Sequence, residues 1–271
     1  MLRARVTTED GVMLATTDWQ GTGPDLVLLH GLGPDQRSMR RLAQALTPAF
    51  RVITYDQRCV GQSTQGSWTF PVAVQDLQAV VDGLGLANPI VVGHSLGGMI
   101  ALMYAADRPD VPAVVNIDGW GPGTPDQFVG EDPDLVRRVM KQIGELEPDT
   151  RFGRLVVGLV QRKPSVRRTE PMRNSVIAAL WELDVLELHR RVKCPVLAFN
   201  CTAPPASGTR FVLGQQAVRM LQSQRRGLRR DLDALRDAHP NVTVAEVAAS
   251  HMAPATRPSL FAGPIRAFLE R

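Results

Sequence analysis

Short apolar runs alternate with longer stretches of helical periodicity along most of the chain. Residues 3–19 read as a hairpin, with an alternating strand, a Glu9-Asp10-Gly11 turn and a second strand from Val12 to Trp19. Leu26 to Leu29 and Arg51 to Tyr55 are short runs of the kind buried on both faces of a parallel sheet. A helix over about Gln36–Leu46 lies between them, and a second helix opens at Pro71, a first-turn proline, and runs to about Gly83. Ile90-Val91-Val92 begins the next strand, and a helix-forming run follows Ser95 to near Asp107. Val111 to Ile117 is a further strand, after which the alternation stops. Residues 119–192 carry a Gly/Pro loop and three helical stretches, around 133–147, 151–162 and 171–189. Alternation resumes with a strand Cys194–Phe199, a long charged helix over about 214–238, a strand Val242–Val247, a loop holding His251 and a closing helix from Pro258 to Glu270.

Strands separated by helices of this length imply right-handed crossovers and a mostly parallel sheet, here of eight strands flanked by helices. Ligands of such α/β sheets bind at the carboxyl ends of the strands. Those ends carry His30-Gly31-Leu32, Asp56, Ser95, Asp118 and His251. The densest of these turns is Gly93-His94-Ser95-Leu96-Gly97-Gly98, a serine between glycines where a strand meets a helix. Such a turn strains the serine backbone and leaves its hydroxyl clear of the sheet, and side chains at 93 and 97 would crowd neighbouring backbone. The helix that starts behind it aims N–H groups at any oxyanion formed there. A bare Gly-x-Ser-x-Gly also fits a mere glycine-rich turn, so the reading depends on a base, an acid and oxyanion donors elsewhere.

Composition narrows the class. At 271 residues, 44% hydrophobic and 21% charged, the chain is an ordinary globular sequence with length for one large domain or a core with an inserted subdomain. Thirty-one basic and 27 acidic residues leave a net charge of +4, and the arginine clusters at 167–168 and 225–230 lack interleaved aromatics. Nucleic acid is therefore not expected as a partner. Cys59, Cys194 and Cys201 form neither a disulfide framework nor a metal spacing. With no signal core at the N-terminus and no run long enough to span a bilayer, the expectation is a cytoplasmic protein with no membrane partner. Nothing in the sequence fixes the oligomeric state.

The arrangement resembles the α/β-hydrolase superfamily over nearly the whole length. The marks are His30-Gly31, Asp56-x-Arg58 with Gly61 and Ser63, Gly-His-Ser-Leu-Gly-Gly, and Ser250-His251. The resemblance implies a core of residues 1–118 and 193–271 with 119–192 inserted as a helical cap. It further implies Ser95 as nucleophile, His251 as general base, and the backbone N–H groups of Leu32 and Leu96 as the oxyanion hole, with no cofactor and no metal. His30 and His94 are expected at the pocket wall, positioning loops rather than transferring protons, and Trp120 and Trp181 from the cap line the same pocket, along with Phe128 and Phe152.

The acid departs from the commonest pattern of that superfamily, an Asp after the seventh strand. No Asp or Glu occurs between His189 and Arg230. Asp118, after the sixth strand, matches the placement in haloalkane dehalogenases and zearalenone-type lactonases, and Asp184 is the backup candidate. Cys59-Val60 is a second departure, standing where glycine and a small or polar residue are usual. A serine at the elbow, rather than an aspartate, implies attack on a carbonyl and argues against dehalogenase or epoxide hydrolase chemistry. The expected activity is hydrolysis of a carboxylic ester or lactone of a small-to-medium apolar substrate. Two alternatives stay open: a cofactor-free dioxygenase, echoed by His94-Ser95, Asp118 and Thr202-Ala203-Pro204, and a ligand-binding or cyclase member that keeps the triad without hydrolysis.

Overall fold

A computed structural model describes residues 1–144, 170–203 and 207–270. Its strands are β1 (Leu2–Thr7), β2 (Met13–Asp18), β3 (Asp25–Leu29), β4 (Arg51–Tyr55), β5 (Ile90–His94), β6 (Val114–Ile117), β7 (Val196–Cys201) and β8 (Val242–Val247). They form one sheet in the order β1-β2-β4-β3-β5-β6-β7-β8. β1 pairs antiparallel with β2, β2 pairs antiparallel with β4, and every later pair is parallel.

The helices are α1 (Arg40–Leu46), α2 (Phe70–Gly83), α3 (Leu96–Ala106), α4 (Pro133–Gly144), α5 (Glu170–Glu182), α6 (Val185–Arg191), α7 (Ser207–Ala238), α8 (Ala253–Thr256) and α9 (Ser259–Leu269). A 3-10 turn, Gln36–Met39, leads into α1 and is capped by the Asp35 side chain on the Arg37 N–H. α2 has the proline in its first turn that the sequence suggested, behind Thr69, whose hydroxyl accepts from the Val72 N–H.

Alternate burial follows from the parallel sheet. Val27, Leu29, Ile53, Val91 and Val114 point to the face covered by α2 and α3. Leu26, Leu28, Val52, Val92 and Val115 point to the opposite face, under α1 and α9. Both faces being covered, these strands read as continuous apolar runs rather than alternating ones.

Several boundaries moved, for identifiable reasons. β6 starts at Val114 and β7 at Val196, each after a proline (Pro112, Pro195), which has no N–H for the ladder. The single helix expected over 171–189 is two, broken where Asp184 caps α6 by accepting from the Glu187 N–H at 3.0 Å. α7 begins earlier than the charge pattern suggested, and α8 is an extra short turn in the loop after His251. The helix expected over 151–162, and Phe152 with it, lies outside the described residues.

The hairpin and the loop after β4 are joined by a buried ion pair. Arg58, 2% exposed, donates Nε and Nη2 to Asp76 of α2, each at 2.7 Å, and Nη1 to Asp10 and to the Ser67 carbonyl. Burial works against its charge, but the hydrogen bonds to Asp76 and Asp10 outweigh that and hold the guanidinium pKa above its ordinary value. No helix of the described residues is long and apolar enough to cross a membrane.

Candidate active site

The elbow is built by close approach. Ser95 has φ 55° and ψ −120°, outside the region most residues prefer. A Cβ on Gly93 would collide with the Gly97 carbonyl, so strand and helix can meet there only through glycine. The Ser95 N–H donates to the Ile117 carbonyl at 2.9 Å, which hangs the turn on the end of β6. On its other side Gly31 lies so close that a Cβ there would stand 3.0 Å from the Ser95 Cβ. The His30–Leu32 loop therefore packs directly on the serine.

Leu96 opens α3, and among the described residues neither its N–H nor that of Leu32 has a hydrogen-bond acceptor. Two free donors beside a half-buried hydroxyl suit an incoming anion.

The loop after β6 carries Asp118. Asp118 has φ 55°, a left-handed conformation that Asp tolerates better than most residues. Its Oδ2 accepts from His251 Nδ1 at 2.7 Å and its Oδ1 from the Cys201 N–H at 2.9 Å. With Nδ1 donating, the other ring nitrogen of His251, Nε2, keeps a lone pair that can accept a proton. His251 is 45% exposed at its side chain and Asp118 12%, so the pair opens to solvent at the histidine end.

His94 ties that histidine to the elbow: its Nε2 donates to the His251 carbonyl at 2.8 Å, and the two rings lie 4.7 Å apart. Burial, aided by His251, pushes the His94 pKa down to about 4, which keeps the ring neutral. No hydrogen bond among the described residues joins the Ser95 hydroxyl to His251. The structure thus bonds His251 to Asp118 and, through His94, ties His251 to the residue that precedes Ser95. Catalytic contacts of this kind often tighten only once substrate is bound.

Other expected site residues fall elsewhere. His30 is buried, its Nδ1 donating to the Gly31 carbonyl and its Nε2 accepting from the Gln57 N–H, so both nitrogens brace loops and neither is free for a ligand. Trp120 is also buried; its indole N–H donates to the Phe199 carbonyl at 3.0 Å and its ring stacks on His189. The same carbonyl accepts the Asp118 N–H, so Trp120 anchors the Asp118 loop to β7. Trp181 is half-buried on α5. Asp184 is engaged as a helix cap and exposed.

Three contributors were not singled out from the sequence. The Cys201 N–H and the Phe199 carbonyl act through backbone, which leaves no residue-type signal. Asn116 had one: it is a polar side chain inside the apolar strand Val-Val-Asn-Ile. Its Oδ1 accepts from the Gly119 N–H and its Nδ2 donates to the Gly119 carbonyl, clamping the turn that carries Asp118.

Cys201 is buried beside Asp118, and both burial and that carboxylate push its thiol up to about 12, so it is inert. Cys59 is likewise buried, its Sγ 3.1 Å from the Gly66 carbonyl. Among the described residues no cluster of His, Cys, Asp or Glu could hold a metal. An open groove of about 840 Å³, lined by Arg3, Arg5, Trp19, Arg37, Arg40 and Asp56, includes none of Ser95, Asp118 and His251.

Known proteins are similar in both sequence and shape. The α/β hydrolase fold family matches residues 24–155. The RutD protein of Caulobacter sp. (strain K31), named as a candidate carbamate hydrolase, is 31% identical over 64% of this chain and 70% of its own length. RutD of Caulobacter segnis is 35% identical over 42% of this chain, and the match spans 45% of that protein, less than half. The sn-1-specific diacylglycerol lipase ABHD11 of Mus musculus is 29% identical over 79% of this chain and 72% of its own. The enol-lactonase from Burkholderia xenovorans LB400 superposes with a TM-score of 0.67 over 99% of this chain and all of that one, at 21% identity, a likeness of fold.

Proposed function

This chain belongs to the α/β-hydrolase superfamily, and on that premise we propose that it hydrolyses a carboxylic ester or lactone through Ser95, His251 and Asp118. The observation that carries the reading is the His251–Asp118 hydrogen bond at 2.7 Å, on the rim where the strained Ser95 stands. Neutral serine is a weak nucleophile. His251 Nε2 takes the Ser95 proton as Oγ attacks the carbonyl carbon, and Asp118 holds Nδ1–H and stabilises the imidazolium that forms.

Negative charge then develops on the carbonyl oxygen, which the Leu96 and Leu32 N–H groups meet. Donors placed this way contribute about 3–4 kcal/mol each, because they act on charge present only in the transition state. His251 passes its proton to the leaving alcohol, leaving an acyl group on Ser95. Water, deprotonated by His251, attacks the acyl carbon and returns the serine free.

In this reading 119–192 is a cap over the rim. Its apolar inventory, Trp120, Phe128 and Trp181 among it, suits a small-to-medium substrate with an apolar body. RutD, the lipase and the enol-lactonase are all named for hydrolytic chemistry, which supports hydrolysis as the class.

The test is a panel of p-nitrophenyl esters and simple lactones together with fluorophosphonate labelling. Ser95→Ala should abolish labelling and turnover, and Asp118→Asn should lower kcat by roughly 10⁴-fold, by freeing the wrong tautomer of the base. A folded wild type that neither labels nor turns over any member of the panel overturns the proposal, and near-full activity in Asp118→Asn removes that residue from it.

A further inference from the structure

The open groove of about 840 Å³ has no part in the proposed reaction, and it is strongly cationic. One side of it is the β1–β2 hairpin, and the other is α1 with the 3-10 turn before it. In the hairpin Arg3 pairs with Thr17 and Arg5 with Ala15, and all four line the groove. The two arginines therefore share one face of the strand, about 7 Å apart along it. Arg37 and Arg40 line the opposite side, one helical turn apart.

The acids in the groove do not balance these charges. Asp35 is taken by Arg37, which donates Nε at 2.8 Å and also Nη2. Asp56 accepts the backbone N–H groups of Gln36 at 2.9 Å and Gln62 at 2.8 Å. Arg3, Arg5 and Arg40 are exposed, and none forms an ion pair among the described residues. Arg51 on β4 shows the contrast, since it has both Asp18 and Asp25.

The groove is also built before any ligand arrives. Trp19 Nε1 donates to the Thr54 hydroxyl at 2.9 Å, which donates to Gln36 Oε1 at 2.8 Å. Gln36 Nε2 in turn donates to the Ala15 carbonyl at 3.0 Å, so strands and turn are tied together beneath the opening. Its volume lies in the range of small-molecule sites. A cleft lined by one sign of charge concentrates the opposite sign within it. A guanidinium fork takes a pair of anionic oxygens, and one carboxylate fills one such fork. Three free forks on two facing walls call for an anion whose charge repeats along its length.

We propose that this groove binds a small anion of linked phosphates, held between Arg3 and Arg5 on one wall and Arg40 on the other. A nucleoside polyphosphate and inorganic polyphosphate share that chemistry. Trp19, on the same face beyond Thr17, offers a ring on which a nucleobase would stack. The proposal is independent of the hydrolase reading, because its readout is binding alone.

Titration calorimetry at low ionic strength, without magnesium, tests it. Sodium tripolyphosphate should bind wild type at least about tenfold more tightly than inorganic phosphate, through the additional charged hydrogen bonds. Arg5→Gln and Arg40→Gln should each weaken tripolyphosphate by about tenfold. Arg138→Gln, which removes an exposed arginine of α4 outside the groove, should leave its affinity unchanged. ATP binding more tightly than tripolyphosphate, with that advantage lost in Trp19→Leu, assigns the site to a nucleotide; equal affinities assign it to the inorganic chain. Absence of binding by both, equal binding of inorganic phosphate, or an equal loss in Arg138→Gln overturns the proposal. So does a preference for a hexaglutamate peptide over tripolyphosphate, which would make the groove a protein-docking surface. Without ligand, Arg5→Gln and Arg40→Gln should keep the wild-type Tm, as exposed substitutions do. A fall of several degrees in both would show that these arginines already have partners within the protein, and would exclude the site.

Discussion

Asn116 shows how much of the site depends on residues that do no chemistry. It has no exposure, and its carboxamide both donates to and accepts from Gly119, the residue after Asp118. A Cβ on Gly98 or Gly119 would collide with the same amide oxygen, so the glycines around the elbow leave room for it. Replacing it with alanine strands a buried N–H and a buried carbonyl, at about 1–3 kcal/mol for each group. Asn116→Ala should therefore lower stability by about 2–6 kcal/mol in urea unfolding. If the triad assignment is right it should also reduce kcat more than it raises KM, because Asp118 loses its register on His251. Ser95, Asp118 and His251 were legible as residue types at the ends of strands. The clamp was legible only as an oddity, and its purpose appeared once Gly119 was seen folded back on it.

At the scale of elements, most strands and helices follow from apolar periodicity, and the departures have local causes. Asp184 is the instructive one. As a sequence it is an acid just upstream of the seventh strand; as structure it starts α6, satisfying the Glu187 N–H. Asp184→Ala should cost about 1 kcal/mol of stability, the usual cost of losing a cap, with ester turnover unchanged. Loss of activity beyond about tenfold, in a variant that keeps its fold, would bring it back as the acid and displace Asp118.

The long α7 shows the same dependence on context. Its buried positions Leu228, Leu232 and Leu235 give the helical repeat, while Gln127 from the loop after β6 reaches Asp231 at 2.9 Å. Ser223 and Arg226 both donate to the Val129 carbonyl. Polar contacts of this reach, about a hundred residues apart in sequence, leave no periodic trace.

For the whole molecule, the sharpest consequence is acid sensitivity. His30, His94 and His189 are each buried in neutral form, and desolvation lowers the pKa of all three, to about 4 for His94 and His189. His189 also feels Arg190, and His94 feels His251, both in the same direction. Unfolding returns each ring to its ordinary value of 6.5. Between those values the unfolded chain binds more protons than the folded one, so stability rises with pH. The contribution is complete above about pH 6.5 and is lost as pH falls toward 4, at about 3 kcal/mol for each of His94 and His189. Tm should fall steeply below pH 6 and level off above 7, and His189→Asn should flatten the slope. A Tm flat from pH 4.5 to 7.5 would contradict the neutral burial of these rings.

The sequence by itself determined the sheet, the order of its strands along the chain, the turn at Ser95 and the candidates at the strand ends. Each of these rests on local physics: side-chain periodicity, proline and glycine geometry, and the few residue types able to do acyl-transfer chemistry. Tertiary structure decided which candidates meet. It put Asp118 on His251 and made Asp184 a helix cap, and it turned His30 and Trp120 inward as braces. Those outcomes depend on contacts between segments far apart in the chain, and local propensity carries no record of which distant group will satisfy a hydrogen bond or a charge.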